Sequence, residues 1–291
     1  MIYTISNDSL IVDVSSSGAE LQSVRSVTGH EYLWQGDPEI WSGRAPNLFP
    51  FVARLHDGMY SLDGKQYEMK IHGFVKSMEL SCVEHSENII VFELLSNEET
   101  LKQYPRLFRF LVKYELKGKK LEISYIVDNL DSKMMYFGLG GHPGFNIPID
   151  PENTFEDYSV VFSEPSKPRR VIFSENIFVD HYEDYPLAGG NTLPLKHDLF
   201  DLDAIVLTDV PHSLKLISKK GGTSICIEFP GMDYVGFWHK PKTEAPYVCV
   251  EPWVSLPGDE YKPTVFEEKD DLVKLEPGKT YINTWSISFE E

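Results

Sequence analysis

The chain has 291 residues, and its 45 acidic against 27 basic side chains give a formal net charge of −18. That balance excludes nucleic acid and anionic membrane surfaces as partners, since both require a positive field, and it disfavours strongly anionic ligands. The length and an apolar fraction of 42% suffice for a large buried core, while no apolar run is long enough to cross a membrane as a helix.

The first residues, MIYTISNDSL, lack a basic region followed by an apolar one, so no secretory leader is expected. The segment WQGDPEIWSGRAPNLFPFVARL then sets Trp34, Trp41, Arg44 and Arg54 among prolines and apolar residues. An arginine in such company must find a partner, either a protein carboxylate or a polar ligand, because an unpaired buried charge is very costly. Asp63-Gly64 lies between MYSL and KQYEM and marks a hairpin. In EMKIHGF, alternation sends Tyr67, Met69 and Ile71 inward. His72 then falls on the polar face at the strand end, and Gly73 permits close approach of a ligand or another backbone. NEETLKQYP is the one convincing helix, with Asn97 as its cap and Pro105 as its end.

Strands follow. In FRFLVKYEL, Phe108, Phe110, Val112, Tyr114 and Leu116 share one face; in LEISYIVDN, Leu121, Ile123, Tyr125 and Val127 do, and Gly118 separates the two. MMYFGLGGHPGFNIP crowds Gly138, Gly140, Gly141 and Gly144 around His142 and Pro143. Glycines this dense weaken a strand and need a reason; a sharp bend that holds the imidazole at the mouth of a sheet supplies one, and a structural turn is the alternative. The Pro- and charge-rich stretch SEPSKPRRVIFSENIFVDHYEDYP reads as long loops and edge elements. Gly221-Gly222 divides SLKLISKK from TSICIEF. In APYVCVEPWVSLPG, Tyr247, Cys249 and Glu251 share one strand face and Val248 and Val250 the other. A carboxylate in that apolar company has a raised pKa unless paired, which suits a general base; a structural ion pair, with Arg54 for example, is the alternative. YINTWSISF alternates Tyr281, Trp285, Ile287 and Phe289 with polar residues.

Many short strands at regular spacing, with no linker, repeat or low-complexity segment, predict an all-β chain folded as one large antiparallel β-sandwich over residues 1–291. Cys82, Cys226 and Cys249 are few, odd in number and far apart, each in an apolar strand-like stretch. They read as reduced, buried thiols of a cytoplasmic protein, with no disulfide frame and no zinc site. No phosphate-binding loop, dinucleotide fingerprint or nucleophile elbow is present, so no cofactor is expected. A histidine and a glutamate that meet in a cleft form an acid/base pair, which is all that anomerisation of a sugar requires.

Taken in order, WQGDPEIWSGRAPNLFPFVARL, IHGF, GGHPGFN, FPGMDYVGFWHKP and YVCVEPW resemble the aldose 1-epimerase family, and most of all its bacterial LacX-type branch. The resemblance runs from about the tenth residue to the last strand. It implies a galactose mutarotase-like supersandwich, a free sugar as substrate, His142 as general acid at the ring oxygen and Glu251 as general base at the C1 hydroxyl. It further implies that Arg54 and His72 contact the sugar, together with an aspartate from FDLDAIVL. Asp203 is chosen over Asp201 because it directly precedes the apolar run. Trp238, His239 and Trp41 are candidates to line the pocket. GLGGHPGFN and IHGF depart from the segments of the better-studied galactose mutarotases, which bears on sugar preference. Three further readings stand beside this one: a non-catalytic sugar-binding protein on the same fold, a glycoside hydrolase, and a cupin-like metal enzyme using His72, His142 and Glu251. A phosphorylated sugar served by Arg44, Arg169 and Arg170 is a substrate variant of the main reading.

Overall fold

A computed structural model describes residues 1–290. Nearly all of the regular structure is antiparallel sheet. A nine-stranded sheet runs in the spatial order Thr192–Pro194, Tyr158–Phe162, Ser213–Ser218, Ser224–Glu228, Thr280–Glu290, Lys120–Asn129, Phe108–Lys117, Ile89–Leu95, Ser81–His85. An eight-stranded sheet runs Val179–Asp184, Arg169–Phe173, Ile205–Thr208, Tyr234–Trp238, Tyr247–Trp253, Gly140–Gly141, Asn47–Leu48, with Gly144–Asn146 also paired to Tyr247–Trp253.

The alternation read from the sequence makes these sheets. Leu121, Ile123, Tyr125 and Val127 are fully buried, as are their neighbours Phe108, Phe110 and Val112, while Arg109, Lys113 and Glu115 face outward and pair with one another or with adjacent strands. These inward residues share one apolar core with Ile205, Leu207, Val235, Phe237, Val248 and Val250 of the other sheet, so the two sheets pack as a sandwich. Phe162 meets Phe237 edge-on across that core, with ring centroids 6.3 Å apart. Hairpins close at Asp63-Gly64, at Gly118 and at Gly221-Gly222, as the turn chemistry predicts.

The helix spans Glu98–Gln103. Asn97 caps it by accepting from the Glu99 and Thr100 amides, and the Thr100 hydroxyl accepts from the Asn97 amide in return. The Pro- and charge-rich middle forms a hairpin of Arg169–Phe173 and Val179–Asp184 at the sheet edge, where the charges of the outer strand discourage pairing with another chain.

Two expectations are corrected here. Only Cys249 is a buried thiol; Cys82 lies on an exposed edge strand and Cys226 on the outer face of its sheet, so both are half-buried. The strand expected to carry His72 ends at Glu68. Beyond it Ile71 is 40% exposed rather than inward, and His72 sits in a turn closed by the Gly73 amide donating to the Lys70 carbonyl. The period-two pattern fails there because the left-handed backbone of His72, with φ of 65°, ends the pleat.

Candidate active site

The strand Tyr247–Trp253 is buried along its whole length and runs through the middle of the eight-stranded sheet. On one side it pairs with the glycine-rich segment. Gly140 lies opposite Trp253, and Gly144 lies opposite Cys249. The antiparallel register between these pairs sets His142 directly across from Glu251. On the other side Glu251 is opposite Gly236, whose missing side chain leaves room for the carboxyl group.

The glycines around His142 serve packing. Gly140, Gly141 and Gly144 have ordinary backbone angles, so a sharp bend is not their purpose. A Cβ on Gly141 would lie 2.6 Å from the Trp285 ring of the opposite sheet, and one on Gly140 would lie 2.6 Å from the Pro252 carbonyl. A Cβ on Gly138 would collide with the Ser255 hydroxyl. The segment must therefore press close against its neighbours to bring the imidazole down beside the carboxyl group.

His142 Nε2 and Glu251 Oε2 are 3.1 Å apart. The two residues are 8% and 1% exposed. Burial pulls the His142 pKa down to about 3 and pushes that of Glu251 well above the usual carboxylate range, helped by the negative charge of Asp203. Both directions favour a neutral imidazole beside a protonated carboxyl group, so the contact holds one proton that the two groups can share. Glu251 thus pairs with His142 and not with Arg54, which is exposed and makes no ion pair among the described residues.

The pair forms the floor of a cavity of about 280 Å³, a size suited to one sugar ring. Arg54, His72, Asp203 and Trp238 all line it, as does Trp41. Trp41 lies over His142 with ring centroids 5.1 Å apart and meets Trp238 edge-on at 5.4 Å. Its own carbonyl accepts from Trp34 Nε1 at 2.8 Å, which anchors the loop that carries it. His72 stands edge-on to His142 at 5.6 Å. The Ala53 amide donates to His72 Nδ1 at 3.2 Å, which makes Nδ1 the acceptor and leaves Nε2–H as a donor. Burial and the neighbouring charges of His142, Lys76 and Arg54 hold His72 well below the ordinary histidine range. Ala53, His72 and Asp203 all adopt positive φ, at 60°, 65° and 87°. Such strain persists where surrounding structure enforces it and gathers at functional sites.

His239 does not line the cavity. It is fully buried behind Trp238, where its Nε2 contacts His197 Nδ1 at 3.1 Å and its ring packs on Phe200. The strand alternation that turns Trp238 into the cavity turns His239 away from it. Arg44, Arg169 and Arg170 are also elsewhere: Arg44 bonds the Gln22 carbonyl and Gln35, Arg169 pairs with Asp209, and Arg170 lies over the Tyr185 ring. Lys76, which the sequence did not single out, does line the cavity. It comes from a short 3-10 turn after His72, and no periodicity marked it. Burial lowers its pKa. Metal-type donors also converge, with Cys249 rather than His72 beside His142 and Glu251; the three donor atoms lie within 4.8 Å of one another. A larger cavity of about 780 Å³ adjoins through Arg54 and Ile71 but contains neither His142 nor Glu251.

A family model described as aldose 1-epimerase matches residues 1–288. The chromosomal LacX protein of Lactococcus lactis subsp. lactis is 32% identical over 299 aligned positions, covering 99% of each chain. Among solved structures, a galactose mutarotase related enzyme from Lactobacillus acidophilus superposes with a TM-score of 0.93 at 34% identity, covering 100% of this chain and 98% of that one. A galactose mutarotase-like protein from Lactobacillus casei ATCC 334 gives 0.94 at 31% identity, covering 100% of both. The glycine-packed histidine strand, the buried glutamate opposite it and the sandwich that aligns them are thus set in a chain that belongs to the aldose 1-epimerase family.

Proposed function

We propose that this protein interconverts the α and β anomers of a free aldose. The observation that carries the reading is the contact between His142 and Glu251 on the floor of a ring-sized, aromatic-walled cavity. With a sugar bound, the proton of the Glu251 carboxyl passes to His142 across their contact; the Glu251 carboxylate then takes the proton of the C1 hydroxyl while the His142 imidazolium protonates the ring oxygen, and the C1–O5 bond opens to an aldehyde. Rotation about C1–C2 and the reverse proton transfers close the ring from the other face. Opening returns Glu251 to the carboxylic acid and His142 to the neutral imidazole, the pair of states that burial favours, so the environment lowers the energy of the open-chain stage. His72 Nε2–H and Arg54 donate to sugar oxygens, Asp203 accepts from hydroxyls, and Trp41 and Trp238 pack on the C–H face of the ring.

Polarimetry of freshly dissolved α-glucose and α-galactose tests the reading. Acceleration above the spontaneous rate supports it, and binding without acceleration would leave a sugar-binding protein.

A specific observation also favours the phosphorylated variant. Arg54 and Lys76 bring to the cavity of an otherwise acidic protein two cations without ion-pair partners among the described residues. Comparing kcat/KM for a hexose and its 6-phosphate, in the wild type and in Lys76→Gln, decides between the substrates. A preference for the phosphate that Lys76→Gln removes would select the phosphorylated sugar.

A further inference from the structure

Cys249 is a buried thiol beside the acid/base pair, outside the cavity lining, to which the proposed reaction assigns no role. It precedes Glu251 by two residues on the same strand face and sits fully buried behind the cavity wall. A ring nitrogen of His142, the Cys249 sulfur and a Glu251 carboxylate oxygen lie within 4.8 Å of one another, all on buried residues. We infer that these three side chains bind a thiophilic divalent cation, Zn²⁺ or Cd²⁺, and that the bound ion switches the acid/base pair off. The binding half stands on geometry alone; the inhibitory half rests on the epimerase reading.

The donor set is the reason. Imidazole nitrogen, thiolate and carboxylate together suit borderline and soft cations. Bond lengths of about 2.0–2.3 Å place tetrahedral donors roughly 3.3–3.8 Å apart, so the side chains need to close by about 1 Å. The pleat holds Cys249 and Glu251 on one face, and the register holds His142 across from Glu251, so rotamer adjustment can supply that movement without moving backbone. On binding, the Cys249 thiol proton and the Glu251 carboxyl proton both leave to solvent, and thiolate plus carboxylate neutralise the two positive charges of the ion. His72 is outside the set because its Nδ1 is engaged by the Ala53 amide. The fourth position opens to the cavity and takes water. With the His142 nitrogen and the Glu251 oxygen on the metal, neither can move a proton. Lys76 and Arg54 nearby oppose any cation, so the thiolate confers selectivity, and Mg²⁺ or Ca²⁺ should not bind.

The test titrates the metal-free protein with Cd²⁺ and follows the ultraviolet thiolate-to-metal charge-transfer band. One equivalent should saturate the band in the wild type. The band should vanish in Cys249→Ser even though Cys82 and Cys226 remain. Cys249→Ala provides the same comparison should the serine variant fail to fold. Polarimetry in parallel should show inhibition by Zn²⁺, reversal by EDTA and none by Mg²⁺, with Cys249→Ser or Cys249→Ala keeping the basal rate and losing roughly tenfold or more in Zn²⁺ sensitivity. No band in the wild type, or an undiminished band in both cysteine variants, overturns the site. A normal band with no mutarotation in any sample refutes the epimerase reading while leaving the metal site standing.

Discussion

Glu251 and His142 are each shifted away from the charged form, and that shift has measurable consequences. Glu251→Gln is nearly isosteric and should keep the fold while lowering mutarotation by ~10²–10⁴-fold, and His142→Asn should do the same. Polarimetric rates beside circular dichroism check this, and a wild-type rate in either variant removes that residue from its role. The pH dependence of stability follows from the same burial. The folded-state pKa of His142, about 3, lies below its ordinary value of 6.5, so its contribution is complete above pH 6.5 and is lost as pH falls from there toward 3. Glu251 has the opposite sign. Its raised pKa stabilises the fold in acid, and that contribution is lost as pH rises from 4.5 through the raised value. Between pH 4.5 and 6.5 the two contributions oppose each other, because the folded and unfolded pair then hold the same number of protons, so this pair should give the wild type little pH dependence there. Glu251→Gln leaves the His142 contribution alone, so its melting temperature should fall relative to the wild type as pH drops below 6.5; parallel melting curves of the two would show that His142 ionises freely in the fold. Both residues were legible in the sequence because ionisable groups stood out among glycines, valines and prolines. Arg54 was legible for the wrong reason: it is exposed and faces the cavity mouth, so no burial forces a partner on it.

At the level of elements, the site is a matter of strand register and close backbone approach. The segment that carries His142 tolerates no side chains at its glycines because the Trp285 ring and the Tyr247–Trp253 strand already occupy that space. Gly141→Ala should cost about 1–3 kcal/mol through overpacking against Trp285 and should lower turnover by displacing the imidazole. Gly236→Ala, whose added Cβ would meet the Glu251 Cβ at an ordinary 3.4 Å, should be far better tolerated. Denaturant midpoints and rates of the two variants check the contrast, and equal losses would contradict it. Strand identity was readable from alternation, as in Leu121–Val127 and Phe108–Leu116, because a period of two depends only on neighbours in the chain. The turn that presents His72 was not readable. Its left-handed backbone is imposed by the Phe49–Ala53 segment packed against it, where a Cβ on Gly73 would strike the Phe49 carbonyl.

At the scale of the whole molecule, the chain carries a net charge of −18. Self-repulsion of that kind weakens with screening. The melting temperature should rise as NaCl goes from about 0.01 to 0.15 M, over which the Debye length falls from about 30 to 8 Å. A melting temperature that falls with salt would instead point to a net benefit from surface ion pairs such as Lys117–Glu122 and Arg169–Asp209. The cavity lies where the central strand of one sheet meets loops from residues 41–54, 71–76 and 203–204. Its lining therefore comes from parts of the chain that only the complete sandwich brings together.

By itself the sequence determined that the chain is made of strands, where most of them turn, and which histidine and glutamate stand out as candidates for an acid/base pair. Those features depend on residue type and on neighbours a few positions away. Only the tertiary structure decided that His142 stands opposite Glu251 at 3.1 Å, that Lys76 lines the cavity while Cys249 lies behind its wall, and that His239, Arg44, Arg169 and Arg170 are elsewhere. The reason is that pairing register and cross-sheet packing relate residues over a hundred positions apart, and the local pattern of neither strand encodes its partner.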